Sequence, residues 1–97
     1  MKTINVKVSG EKTEVKLFKK FKVLDFNLAI VDFPHRDGSY KTVVEFNTGI
    51  GIGFLRSHKK TIKDIEEKSS LYFMDIIKQC GEKEIIDELK SYEVINN

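Results

Sequence analysis

Few residues in this 97-residue chain have the type and spacing to do chemistry. Gly49-Ile50-Gly51-Ile52-Gly53 holds glycines of the kind that let backbone amides approach a phosphate. Its spacing is not that of a dinucleotide-binding loop, no Gly-Lys-Ser/Thr follows, and the next helix signal comes about eight residues later. Strict alternation instead predicts a strand with Ile50 and Ile52 inward and a bare glycine face against another backbone. His35-Arg36-Asp37 has the residue order of a phosphoryl-transfer catalytic loop, but the downstream asparagine, metal-binding aspartate and nucleotide loop are missing. Between Pro34 and Gly38 the triplet reads as a polar turn. Cys80 with His35 or His58 has the elements of a nucleophile pair. Yet Cys80 falls on an apolar helical stripe, which predicts a buried thiol packing as a small hydrophobe. Two histidines and one cysteine, all far apart, are too few for a zinc site. The expectation is no catalytic residue, no metal, no cofactor and no enzyme activity.

The basic residues carry the stronger signal. Lys16, Lys19, Lys20 and Lys22 are interleaved with Phe18 and Phe21, and Arg56, His58, Lys59 and Lys60 precede the first helix signal. Lysine and arginine near aromatics suit phosphates and stacked bases. They also steer association with an acidic protein site. The bland reading is a strand edge protected by lysines. These eight residues form the candidate partner-binding set.

The elements that must position them are read from one change of hydrophobic period near Arg56. Before it, apolar residues alternate, as in Ile4, Val6, Val8 and Leu24, Phe26, Leu28, Ile30. After it they recur every three or four, as in Ile62, Ile65, Tyr72, Phe73, Ile76, Ile77. Period two buries one face of a strand and period 3.6 one stripe of a helix. The prediction is an α+β fold: an antiparallel sheet of four or five strands over residues 2–55, then two C-terminal helices, about 61–80 and 82–92, on one face.

The first strand runs from Lys2 to Val8 and is closed by Ser9-Gly10-Glu11-Lys12. The second spans Thr13 to Phe21, with Val15 and Leu17 inward and Lys16, Lys20 and Lys22 toward the other side. Val23 to Phe33 is a third strand, or a continuation of the second after a bend near Lys19-Lys20; Pro34 ends it. Tyr40 to Asn47 follows, with Tyr40, Thr42, Val44 and Phe46 on one face, then a short segment from Ile50 to Leu55. Thr61 is placed to cap the amide of Asp64. The first helical stripe is Ile62, Ile65, Ser69, Tyr72, Phe73, Ile76, Ile77 and Cys80, stopped by Gly81. In the second helix Ile85, Ile86 and Leu89 face inward. Leu71 and Met74 lie off the stripe, and contact with the second helix is preferred over an exposed binding edge. Ile95-Asn96-Asn97 is expected to fray.

Length and composition set outer bounds. A chain of this size reads as one domain with little surplus for a deep cleft. The 40% hydrophobic share with ten aromatics argues against disorder. One cysteine fits a reducing compartment, and no signal peptide or membrane span is visible, so a cytoplasmic domain is expected. The net charge of +2 hides a polarised distribution. Residues 1–63 hold 13 of the 17 basic residues against 6 acidic ones, net +7; residues 64–97 hold 4 against 9, net −5. The sheet half is basic and the helical half acidic.

The segment from Tyr40 to Lys68, with its run Tyr40-Lys41-Thr42-Val43-Val44-Glu45-Phe46-Asn47-Thr48-Gly49-Ile50-Gly51-Ile52-Gly53 and a basic Lys59-Lys60-Thr61 lead-in to a helix, resembles small uncharacterised bacteriophage and mobile-element proteins. That group includes anti-defence, anti-CRISPR-like inhibitors. The resemblance implies a context in a bacterial host cell and work by binding, and it transfers no catalytic residue. The leading expectation is a non-enzymatic interaction protein, a phage-type inhibitor that binds a host or defence protein stoichiometrically. The alternatives are a small nucleic-acid-binding module using the basic half, and a nucleotide-signal or small-ligand sponge at a homo-oligomer interface, with a homo-dimer one form of it.

Overall fold

Two short turns and one bulge decide how the strands meet. The computed structural model describes residues 2–35, 38–52 and 61–97. Four strands, β1 (Thr3–Val8), β2 (Glu11–Val23), β3 (Phe26–His35) and β4 (Gly38–Glu45), pair antiparallel in the order β1-β2-β3-β4. Two helices follow, α1 (Ile62–Cys80) and α2 (Glu82–Lys90). This is the expected α+β arrangement. Ser9 and Gly10 both have positive φ, 51° and 83°, as a two-residue hairpin turn requires. Leu24 also has positive φ, 54°, in the two-residue turn between Val23 and Phe26. It therefore points into solvent and leaves the alternation it seemed to belong to.

β2 changes partner along its length. Glu11–Lys16 pair with β1, and Leu17–Val23 pair with β3. Between Leu17 and Lys19 the register slips by one residue, so two residues of β2 advance against one of β3. A bulge bends its strand and reverses which side the following residues face. The bend expected near Lys19-Lys20 is this bulge; the chain continues as β2 beyond it, and β3 begins only after the Leu24-Asp25 turn. β3 also runs through Pro34 to His35, beyond the expected stop. Its ladder to β2 ends at Val31, so Pro34 sits where the strand has a single neighbour and a missing N–H costs little.

The sheet is apolar on both sides. One side holds Ile4, Val6, Val15, Ala29, Val31, Val44 and Phe46, where the β1–β2 hairpin closes over β3 and β4. Tyr40, Thr42, Val44 and Phe46 share that side, as their alternation predicted. The other side holds Val23, Phe26, Leu28, Ile30 and Val43, covered by Ile65 and Phe73 of α1. Phe26 and Phe73 meet edge to face, centroids 5.1 Å apart at 73°. Such a pair adds about 0.5–1.5 kcal/mol to the burial of two large rings.

Both helix ends follow the expected chemistry. The Asp64 amide donates to Thr61 Oγ1 at 3.2 Å, and the Gly81 amide donates to the Ile77 carbonyl at 2.8 Å. Gly81, at φ 88°, turns the chain directly into α2. The α1 stripe is narrower than its sequence suggests. Ile65, Ser69 and Phe73 are buried, Tyr72 is partly exposed, and Cys80 is exposed. The buried thiol is thus corrected: the buried stripe of the 19-residue α1 ends at Phe73, and Cys80, two turns further on, is exposed at the wall of an open cleft. Leu71 and Met74 do not pack under α2; they are exposed, Leu71 at 70%. α2 has no fully buried residue, with Ile85, Ile86 and Leu89 only half covered.

Of the short segment expected from Ile50 to Leu55, the described part, residues 50–52, makes one bridge, Val44 to Gly51, flanked by the bonds Glu45 N–H to Ile50 O (2.8 Å) and Ile52 N–H to Val43 O (3.3 Å); residues 53–55 lie outside the described residues. The C-terminal tail is also corrected. Asn96 is 8% exposed and anchored to β1, so the chain end is held in place. No helix of the described residues is long and apolar enough to cross a membrane.

Candidate functional site

The bulge in β2 splits the lysine cluster. Paired residues in a ladder share a side, so Lys19 lies with Ile30 on the helix side, while Lys20 lies with Ala29 on the opposite side. Lys16, before the bulge, also faces the helix side, and Lys22, opposite Asn27, does not. Lys20 and Lys22 were expected to oppose Val15 and Leu17. They share that side instead, because the slip reverses the alternation.

Each group has its own neighbours. Lys20 Nζ stands 4.0 Å from the centroid of Phe46, a contact worth about 0.5–1 kcal/mol at an exposed site. Lys19 Nζ is bound to α1, donating to Glu66 Oε2 at 3.0 Å. The pair is part-exposed and contributes little to stability, but it takes Lys19 out of the pool of available cations. Phe18, the bulge residue, is half buried against the α1-side core. Its ring carries Lys16 Nζ at 5.1 Å and Lys41 Nζ at 5.6 Å. No carboxylate pairs with either ammonium among the described residues. Lys41 was missed from sequence because it belongs to another strand; only the β3–β4 register, Lys41 opposite Asp32, carries it to this side. Arg56, His58, Lys59 and Lys60, the other half of the candidate set, lie outside the described residues.

A second feature lies between the helices and the sheet. Ile50, Ile52, Phe73, Ile76, Ile85 and Leu89 line a cleft of about 390 Å³ with Cys80 and Tyr92 in its wall. Its ionisable carboxylates are Glu45, Glu84 and Glu88, and no lysine, arginine or histidine lines it among the described residues. That polarity is unfavourable for an anionic nucleotide. Glu45 is 5% exposed. Its carboxylate accepts from the Asn47 amide at 3.1 Å, the Thr48 amide at 2.9 Å and the Thr48 hydroxyl at 2.8 Å, which holds the turn after β4.

Of the residues weighed for chemistry, Arg36, Asp37 and His58 lie outside the described residues. Of the glycine run, Gly49 fulfils the expected close approach: a Cβ there would stand 2.8 Å from Asn5 O and from Val6 Cα. Gly51 has open space at its Cβ position, and Gly53 lies outside the described residues. Among the described residues, no group of three or more His, Cys, Asp or Glu could hold a metal ion. Compared with known family models, curated proteins and solved structures, the chain matches none.

Proposed function

We propose that this chain is a non-enzymatic interaction domain that binds an acidic site on a protein partner through the helix-side surface around Phe18. The observation that carries this reading is the Phe18 ring with two ammonium groups, Lys16 and Lys41, within 5.6 Å of its centroid and, among the described residues, no carboxylate closing either one. A ring flanked by cations offers apolar contact and charge at one place. The ring excludes water while the ammonium groups meet partner carboxylates, which favours on-rate and orientation. As the biological form we propose a phage-type inhibitor, the form that the resemblance noted for the Tyr40-to-Lys68 segment would imply. Such an inhibitor binds a host or defence protein stoichiometrically in the cytoplasm of a bacterial cell.

A second reading, a nucleic-acid module, draws on the same ring, because a base can stack on Phe18 while Lys16 and Lys41 meet flanking phosphates. Fluorescence anisotropy with a labelled glutamate-rich peptide and a labelled single-stranded oligonucleotide of equal charge separates the two. The protein-binding reading expects salt-sensitive binding of the peptide that is at least as tight as that of the oligonucleotide. Tighter oligonucleotide binding that is lost in Phe18→Ala supports the second reading and overturns the first.

A further inference from the structure

The cleft under α2 shares no described residue with the surface around Phe18, and the charges described in it are of the opposite sign. We propose that it is a binding site for a small organic cation with an apolar body, of the alkylammonium class. Three observations converge on this ligand. The volume, about 390 Å³, falls in the range of small-molecule sites. The walls supplied by Ile52, Phe73, Ile85 and Leu89 are apolar, which calls for a hydrocarbon body. Among the described residues, the charged groups that line the cleft are all carboxylates: Glu45, Glu84 and Glu88.

Glu45 sharpens the argument. It is buried, its three hydrogen bonds come from neutral donors, and no cation pairs with it among the described residues. Buried carboxylates ordinarily have a positive partner. An ammonium entering the cleft supplies that charge, while Glu84 and Glu88 add negative potential around the cleft. Tyr92 hydrogen-bonds Glu88 through its hydroxyl at 3.3 Å, so one wall combines an aromatic ring with an oriented carboxylate. That combination suits a quaternary or primary ammonium. The neighbouring cleft of about 350 Å³ shares Glu45, Leu89 and Tyr92 but includes Lys90, which opposes a cation.

The test uses octyltrimethylammonium as the probe, with octanol and octanoate as neutral and anionic controls, followed by calorimetry. Cys80 is the chain's single cysteine and lies in the cleft wall, so its labelling rate by a thiol reagent reports occupancy at this place. The expected result is saturable 1:1 binding of the cation, about tenfold or more tighter than octanol, no binding of octanoate, and slowed labelling of Cys80. The variant Glu84→Gln/Glu88→Gln, at exposed positions, should keep the melting curve and lose most of the preference for the cation. Equal affinity for cation and alcohol overturns the proposal, as does absence of cation binding. Cation binding that leaves Cys80 labelling unchanged, or a full preference retained in the double variant, overturns it equally.

Discussion

Asn96 is hydrogen-bonded twice to the backbone of Asn5, 91 positions away: its Oδ1 accepts from the Asn5 amide at 2.9 Å and its Nδ2 donates to the Asn5 carbonyl at 2.6 Å. The side-chain amide thus imitates a neighbouring strand at the outer edge of β1. The same Nδ2 donates to the Phe46 carbonyl at 2.8 Å, and the Asn96 amide donates to the Asn47 carbonyl at 3.1 Å. One residue of the tail therefore ties the first strand to the turn after the last. Lys7 and Glu93 add an ion pair at 3.7 Å alongside it.

Removing that clasp is expected to destabilise the whole sheet. Asn96→Ala strips partners from backbone groups of Asn5 and Phe46 that have no other strand to turn to. The cost should be about 2 kcal/mol, within the range for buried groups left unsatisfied. Asn96→Asp should cost as much, because a carboxylate cannot donate to the two carbonyls. Urea denaturation followed by circular dichroism measures both; an unchanged midpoint in either variant would refute the clasp.

Gly49 makes the clasp possible, and its substitution separates close approach from backbone strain. Gly49 has φ 68°, its carbonyl accepts from the Lys7 amide at 3.1 Å, and an added Cβ would lie 2.8 Å from Asn5 O, Val6 Cα and Ile95 Cδ1. Gly10 has φ 83° with nothing within 4 Å of such a Cβ. Gly10→Ala should cost about 1 kcal/mol from strain alone. Gly49→Ala should cost about 3 kcal/mol or more, since backbone must move. Similar losses for the two variants would mean that the turn does not press on β1.

The contrast between these two glycines shows what the sequence carries and what it lacks. Periodicity placed Val6, Leu28 and Ile30 in strands and Ile65 and Phe73 on the buried stripe of α1. Thr61 and Gly81 marked where α1 begins and ends. All of these depend on residues close in sequence. The bulge at Leu17/Lys19 has no such marker, because no glycine or proline stands there. Yet it decides that Lys16 and Lys20 face opposite ways and lets Lys41 share Phe18 with Lys16. The anchoring of Asn96 depends on an edge whose existence is known only once the strand order is known. Leu24 looked like a core residue by alternation and is the first residue of a turn.

Cys80 tests the end of α1. An exposed thiol on the last helical turn should react with a thiol reagent in the native protein at nearly the rate of the unfolded chain. Cys80→Ser should shift stability by less than about 0.5 kcal/mol. Slow native labelling, or a loss of several times that size, would place the thiol in the core instead.

The central claim, that the basic surface around Phe18 does the binding, is tested most directly by affinity capture from a bacterial lysate with three forms of the protein. These are the unaltered chain, Lys16→Glu/Lys41→Glu, and Glu84→Lys/Asp87→Lys. Both pairs are surface changes, so each form should melt like the unaltered chain within about 1 kcal/mol. The account predicts that the unaltered chain and the acidic-face variant retain the same protein partner in fixed stoichiometry. The lysine variant should retain it about tenfold less or worse. A lysine variant that captures the partner normally, while the acidic-face variant loses it, would contradict the account and move the binding surface to the helices.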